Sequence, residues 1–124
     1  MADSFSIAVS GLNAAARTVQ ISASNIVNAR SGGVISDRDG YQGYQPLQPT
    51  ASSVAGGGVV TGARPVVPAY MPAPGTDGTA YGLPNSSLTT DLVQMKLAQT
   101  AYKASAALIR TADEMQKTTL SVIG

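Results

Sequence analysis

The stretch DSFSIAVSGLNAAARTVQISASNIVNA, residues 3–29, decides the architecture. Phe5, Ala8, Leu12, Ala15, Val19, Ser22 and Ile26 follow one another at alternating spacings of three and four. That rhythm lays them along one stripe of a long helix, drawn as a coiled-coil seam. Asp3 or Ser4 can cap its start by accepting from the free N–H groups of the first turn. At 1.5 Å per residue the helix spans about 40 Å. Its other faces carry Ser10, Gly11, Asn13, Gln20, Ser24, Asn25 and Asn28, and Arg17 is the only charge between Asp3 and Arg30. A helix bathed in water normally carries several charges, so this one is expected to meet protein on more than one side.

A second such stretch closes the chain. Residues 86–123, with Asn85 or Ser86 as cap, read as another amphipathic helix. One stripe holds Leu88, Leu92, Met95, Gln99, Tyr102, Ala106 and Ile109, and another holds Val93, Leu97, Ala104, Leu108, Met115 and Val122. Together they make an apolar face wider than one partner helix needs. Lys96, Lys103, Arg110 and Lys117 form a basic line along it, and Arg110–Glu114 and Asp113–Lys117 are i,i+4 pairs. The pattern fits either a helical hairpin within one chain or packing between subunits. The sparse charge of the first helix favours packing between subunits.

Between the helices the composition changes. Gly32 and Gly33 stop the first helix, and residues 31–40 read as loop. Tyr41 to Gln48 reads as an extended edge segment, restricted by Pro46 and Pro49. The Gly56-Gly57-Gly58 turn separates Ala51–Ala55 from Val59–Val67, a weak β-hairpin. Tyr70 to Pro84, rich in Pro and Gly, reads as a long irregular connector. The expected fold is therefore mainly α. Residues 1–30 and 85–124 would supply two terminal helices forming an intersubunit coiled coil, and residues 31–84 a Gly/Pro-rich loop with one small hairpin.

Composition excludes several functions. The 124 residues carry 8 basic and 7 acidic side chains, a net charge of +1, which gives no electrostatic case for nucleic acid or an anionic membrane. Without His or Cys there is no imidazole or thiol chemistry, no common zinc site and no disulfide framework. No apolar run approaches the roughly 20 residues of a membrane span, and the N-terminus lacks the basic flank and apolar core of a Sec-type signal. Apolar residues make up 44% of the chain, but many are alanine and Phe5 is the only phenylalanine. Such a chain buries little apolar area per ordered residue, so stability is expected to come from neighbours.

No reactive constellation emerges. Asp113 and Glu114 are adjacent on a helix and point about 100° apart, so they do not converge on one substrate atom. Asp37-Arg38-Asp39-Gly40 lacks the later ligands and closing Glu of a calcium loop. The Gly56–Gly58 run lacks the Lys-Ser/Thr and helix start of a phosphate cradle. No catalytic residue, cofactor or metal ligand is expected.

Two groups of residues carry a family resemblance. Ser10-Gly11-Leu12-Asn13-Ala14-Ala15, followed by Ser24-Asn25-Ile26-Val27-Asn28, resembles the N-terminal signature of bacterial flagellar rod and hook proteins. Asp91-Leu92, the run Ala98-Gln99-Thr100-Ala101-Tyr102-Lys103-Ala104, and Thr111-Ala112-Asp113-Glu114-Met115 resemble that family's C-terminal helix. The short middle, with Pro72, Asp77-Gly78 and Tyr81-Gly82-Leu83-Pro84-Asn85, is most similar to the proximal-rod branch. Arg30-Ser31-Gly32-Gly33 stands where that family has Thr-x-Gly-Tyr, with Gly40-Tyr41 arriving later.

The resemblance implies a structural subunit of the basal-body rod, transmitting torque across the periplasm and exported without a Sec signal. Its partners would be other rod proteins, copies of itself, the surrounding basal-body rings and the export apparatus. The alternatives are a subunit of another type III-type secreted assembly, such as an injectisome rod or needle, and a rod paralogue of a second flagellar system. Leu12, Ala15, Val19 and Ile26 are the expected seam of the assembly interface, faced by Leu92, Met95, Tyr102 and Ile109. Asn25 and Asn28 are expected to satisfy backbone groups where the first helix ends.

Overall fold

The computed structural model describes residues 2–75 and 78–124, with side chains from Ser4 onward. Helix α1 (Ala2–Val27) and helix α2 (Leu88–Ile123) stand at the two ends, with six strands between them: β1 (Gly33–Ser36), β2 (Gly40–Tyr41), β3 (Leu47–Ser53), β4 (Val59–Pro65), β5 (Tyr70–Ala73) and β6 (Tyr81–Pro84). Helix α1 already includes Ser4, which therefore cannot cap it; the side chain of Asp3 lies outside the described residues, as does Asp77. Helix α2 is capped by Ser87, whose hydroxyl accepts from the Thr90 N–H at 3.3 Å, rather than by Asn85 or Ser86.

The expectation of a mainly α chain with one small hairpin is overturned. The middle folds into a four-stranded antiparallel sheet ordered β2-β1-β6-β5 and a separate two-stranded hairpin of β3 and β4. The supposed loop at Gly33 is strand β1, and the supposed connector from Tyr70 to Pro84 holds β5 and β6, paired from Tyr70↔Pro84 to Ala73↔Tyr81. The prolines of the middle escape the usual penalty by position. Pro72 lies on β5, an edge strand, Pro84 ends β6, and Pro49 lies in a hairpin whose strands each have a free edge. Gly82 sits in a central strand because the Tyr70 ring covers it: a Cβ there would lie 2.8 Å from a ring carbon. The hairpin around Gly56–Gly58 forms, and it is longer than its sequence suggests, since β3 continues back through Pro49 to Leu47.

Strand pairing brings the helices together. β1 follows α1, β6 precedes α2, and the two lie antiparallel with Gly33 opposite Gly82. The end of α1 and the start of α2 therefore meet at one place. From there the helices run back antiparallel, with Asn25 against Asp91, Ser22 against Gln94 and Gly11 against Ser105. The seam between them lies within one chain, where the sequence pattern favours an intersubunit one. It is lined by small side chains: Ala8, Ala15 and Ser22 on α1, Ala98 and Ala112 on α2, all buried. A buried methyl group contributes only about 0.8 kcal/mol, so this seam is close but energetically thin.

Candidate assembly interface

Asn25, in the last turn of α1, is 3% exposed and uses its whole side-chain amide. Its Nδ2 donates to the Leu47 carbonyl at 2.7 Å and to Asp91 Oδ1 at 3.2 Å. Its Oδ1 accepts from the Tyr44 hydroxyl at 3.0 Å and from the Leu47 N–H at 3.1 Å. Two donors and two acceptors are all an asparagine side chain offers. One residue thus joins α1 to the start of β3, to the loop before it and to the first turn of α2. Asp91 is buried with it, and burial pushes its carboxyl above the usual range, against the smaller lowering effect of the Asn25 hydrogen bond.

Two further motif residues also act within the chain. The Ser10 hydroxyl donates to the Ile7 carbonyl at 2.6 Å and accepts from the Val59 N–H at 3.1 Å, pinning the β3–β4 hairpin to α1. Asn28 Nδ2 donates to the Ser24 carbonyl at 2.9 Å, a group that already accepts from the Asn28 backbone N–H at 3.0 Å, so the side chain adds a second bond to a helical acceptor already paired. Tyr44, which belongs to neither helix, closes the node by sharing its hydroxyl with Ser24 at 2.9 Å. Helical periodicity carries no signal for such a partner, because it reaches in from a loop.

The remaining predicted residues divide in two. Ala15 is buried in the seam, while Leu12, Ile26 and Ile109 are half-buried. Val19, Leu92, Met95 and Tyr102 instead come together along an open groove of about 790 Å³ between the helices, completed by Ala16 and Gln99 and bordered by Lys96 and Lys103. Leu92 and Tyr102 remain about half exposed there, at 51% and 48%. On the other flank of α2, Leu97 is 64% exposed beside a smaller hollow that the hairpin residues Pro49, Ala51 and Val59 help to line.

Ala112 is the last buried residue of α2, and every residue from 113 to 124 is exposed, among them Met115, Leu120, Val122 and Ile123. Exposed apolar patches are a general mark of interaction sites. Within the described residues the ion pairs are the two along α2, Arg110–Glu114 at 3.2 Å and Lys117–Asp113 at 2.7 Å. Both stand in water, where solvent screens the attraction, so they add little to the fold.

Residues 83–122, the end of the sheet region and nearly all of α2, match the family described as flagellar basal body rod FlgEFG protein C-terminal. The chain carries a flagellar rod-family segment. No curated protein matches the sequence. The rod family is structural and non-enzymatic, places its members in the flagellar basal body, and implies assembly with other basal-body proteins. The rod-family segment contains Leu92, Met95 and Tyr102 of the open groove and the exposed end of α2. Among the described residues no helix is long and apolar enough to cross a membrane.

Proposed function

We propose that this chain is a structural subunit of the flagellar proximal rod, most like the member of that rod lettered C, and that it transmits torque across the periplasm by helical co-assembly with other rod proteins and with copies of itself. Residues 1–30 and 85–124 serve as the assembling helices, and residues 31–84 face the adjacent rod subunits or the surrounding rings. The chain reaches its place through the type III export apparatus. The observation that carries this reading is the groove of Val19, Leu92, Met95 and Tyr102, half open to water beside a segment that matches the rod family. The helical pair closes on small side chains and leaves its large ones outside, as a subunit that completes its packing on neighbours requires.

Deletion of the gene, followed by electron microscopy of purified basal bodies, tests the rod role. Non-motile cells whose basal bodies stop before the rod, rescued by the intact gene, are expected. Motile cells with complete rods would reject it. Leu12→Asp and Leu92→Asp test the assembling faces: both are expected to abolish incorporation, and normal swimming in either would remove that residue from the interface.

A further inference from the structure

We propose that the exposed end of α2 in one copy, residues 113–123, occupies the Val19–Leu92–Met95–Tyr102 groove of a second copy lying parallel to it. The inference rests on the assembly reading above and names the occupant of its groove. Three observations carry it. The first is length: the groove runs along α2 from Leu92 to Lys103, and the unpartnered end runs from Asp113 to Ile123, so each covers about 15 Å of helix.

The second is surface. Met115 and Val122, seven residues apart, share one face of that end with Ile123 beside it, and the groove offers a matching apolar lining. The third is charge. Lys96 and Lys103 border the groove and make no ion pair among the described residues, while Glu114 stands on the edge of the Met115–Val122 face. Its present partner, Arg110, is exposed and holds it only weakly.

Orientation follows from symmetry. An antiparallel seat would let each copy fill the other's groove, closing a two-fold dimer, whereas a parallel, staggered seat passes the contact on from copy to copy in an open series. The parallel seat places Met115 beside Met95 and Val122 beside Tyr102, a stagger of about 20 residues or 30 Å. The chain contains no cysteine, so single cysteines report contacts cleanly.

The test mixes full-length Met95→Cys with full-length Met115→Cys under mild oxidation and follows the disulfide-linked dimer on non-reducing gels. Each chain carries a single cysteine, so no bond can form within a chain. A mixed dimer is expected, at a yield about tenfold lower when Lys96→Glu is added to the Met95→Cys chain, and recovered when Glu114→Lys is added to its partner. Cross-linking of Tyr102→Cys with Met115→Cys in place of the Met95 pair would show the closing antiparallel seat and overturn the proposal. Absence of the Met95–Met115 dimer at concentrations up to about 1 mM would overturn it as well. Basal-body incorporation is read separately, so a rod subunit lacking this contact and a self-associating chain outside the rod give different results.

Discussion

Gly11 of α1 faces Ser105 of α2 so closely that a Cβ added at Gly11 would lie 2.6 Å from the Ser105 hydroxyl oxygen. The glycine of the Ser10-Gly11-Leu12 motif thus marks a close approach of the two helices. A methyl group there meets only a rotatable hydroxyl, and alanine favours helix over glycine by about 1 kcal/mol. Gly11→Ala is therefore expected to be near neutral. Gly11→Leu has no such escape and is expected to cost about 2–3 kcal/mol in urea unfolding by forcing the helices apart. Equal stability of the two variants would show that the seam is loose at this point.

Replacing Asn25 tests the node that gathers α1, β3 and α2. Asn25→Ala strands the Leu47 N–H and carbonyl, the Tyr44 hydroxyl and Asp91 without their shared partner. The expected loss is about 3 kcal/mol, well beyond one surface hydrogen bond, because buried Asp91 and the half-buried Leu47 N–H and carbonyl lose this partner together, while the Tyr44 hydroxyl keeps Ser24. A loss under about 1 kcal/mol would mean that water replaces the amide with little penalty.

Asp91 gives the fold a pH dependence of defined sign. Its folded pKa is raised above the ordinary 3.8, chiefly by burial. The group therefore stabilises the fold in its protonated form, fully below the unfolded value, and that contribution fades as pH rises through the raised folded value. Asp91→Asn keeps an acceptor for Asn25 and never ionises. The melting temperature of Asp91→Asn minus that of the wild-type chain is expected to be more positive at neutral pH than in strong acid. A difference that does not change with pH would refute the burial assignment.

Tyr41 stacks on Tyr70 with ring centroids 4.7 Å apart, and its buried hydroxyl has no hydrogen-bond partner among the described residues. Burial accordingly pushes its phenol up, with a smaller contribution from Tyr81. Tyr41→Phe keeps the stack and removes the unpaired oxygen, so it is expected to raise stability by about 1 kcal/mol in chemical denaturation. A destabilised variant would point to a bridging water in that space.

The helices are legible in the sequence because their signal is periodic: Ala8, Ala15 and Ser22 keep their stripe in the folded chain, and Ala98 and Ala112 face it from α2. What periodicity cannot say is which apolar members are covered. The apolar stripes read on α2 run through Leu92 and Leu97 and include neither Ala98 nor Ala112, yet a seam as close as the one at Gly11 admits only small side chains and leaves Leu92 and Leu97 outside. The sheet is hidden for a different reason. Pro72, Gly82 and Pro84 read as breakers wherever strand position is unknown, and only the tertiary pairing of β6 with β1 and β5 shows that each occupies a tolerated place. Asn25 and Asn28 stand out as motif residues, but the reach of Asn25 to Tyr44 and Leu47 spans separations of 19 and 22 residues, across chain that carries no register of its own.

The four-way bonding of Asn25 has a mechanical meaning. A joint made of one hydrogen bond is a hinge, free to swing about it, whereas bonds running from a single amide in three directions form a gusset. The angle between the helical pair and the β3–β4 hairpin is thereby fixed in each molecule. Every copy in an array of such molecules would then carry its hairpin at the same angle to its own helices.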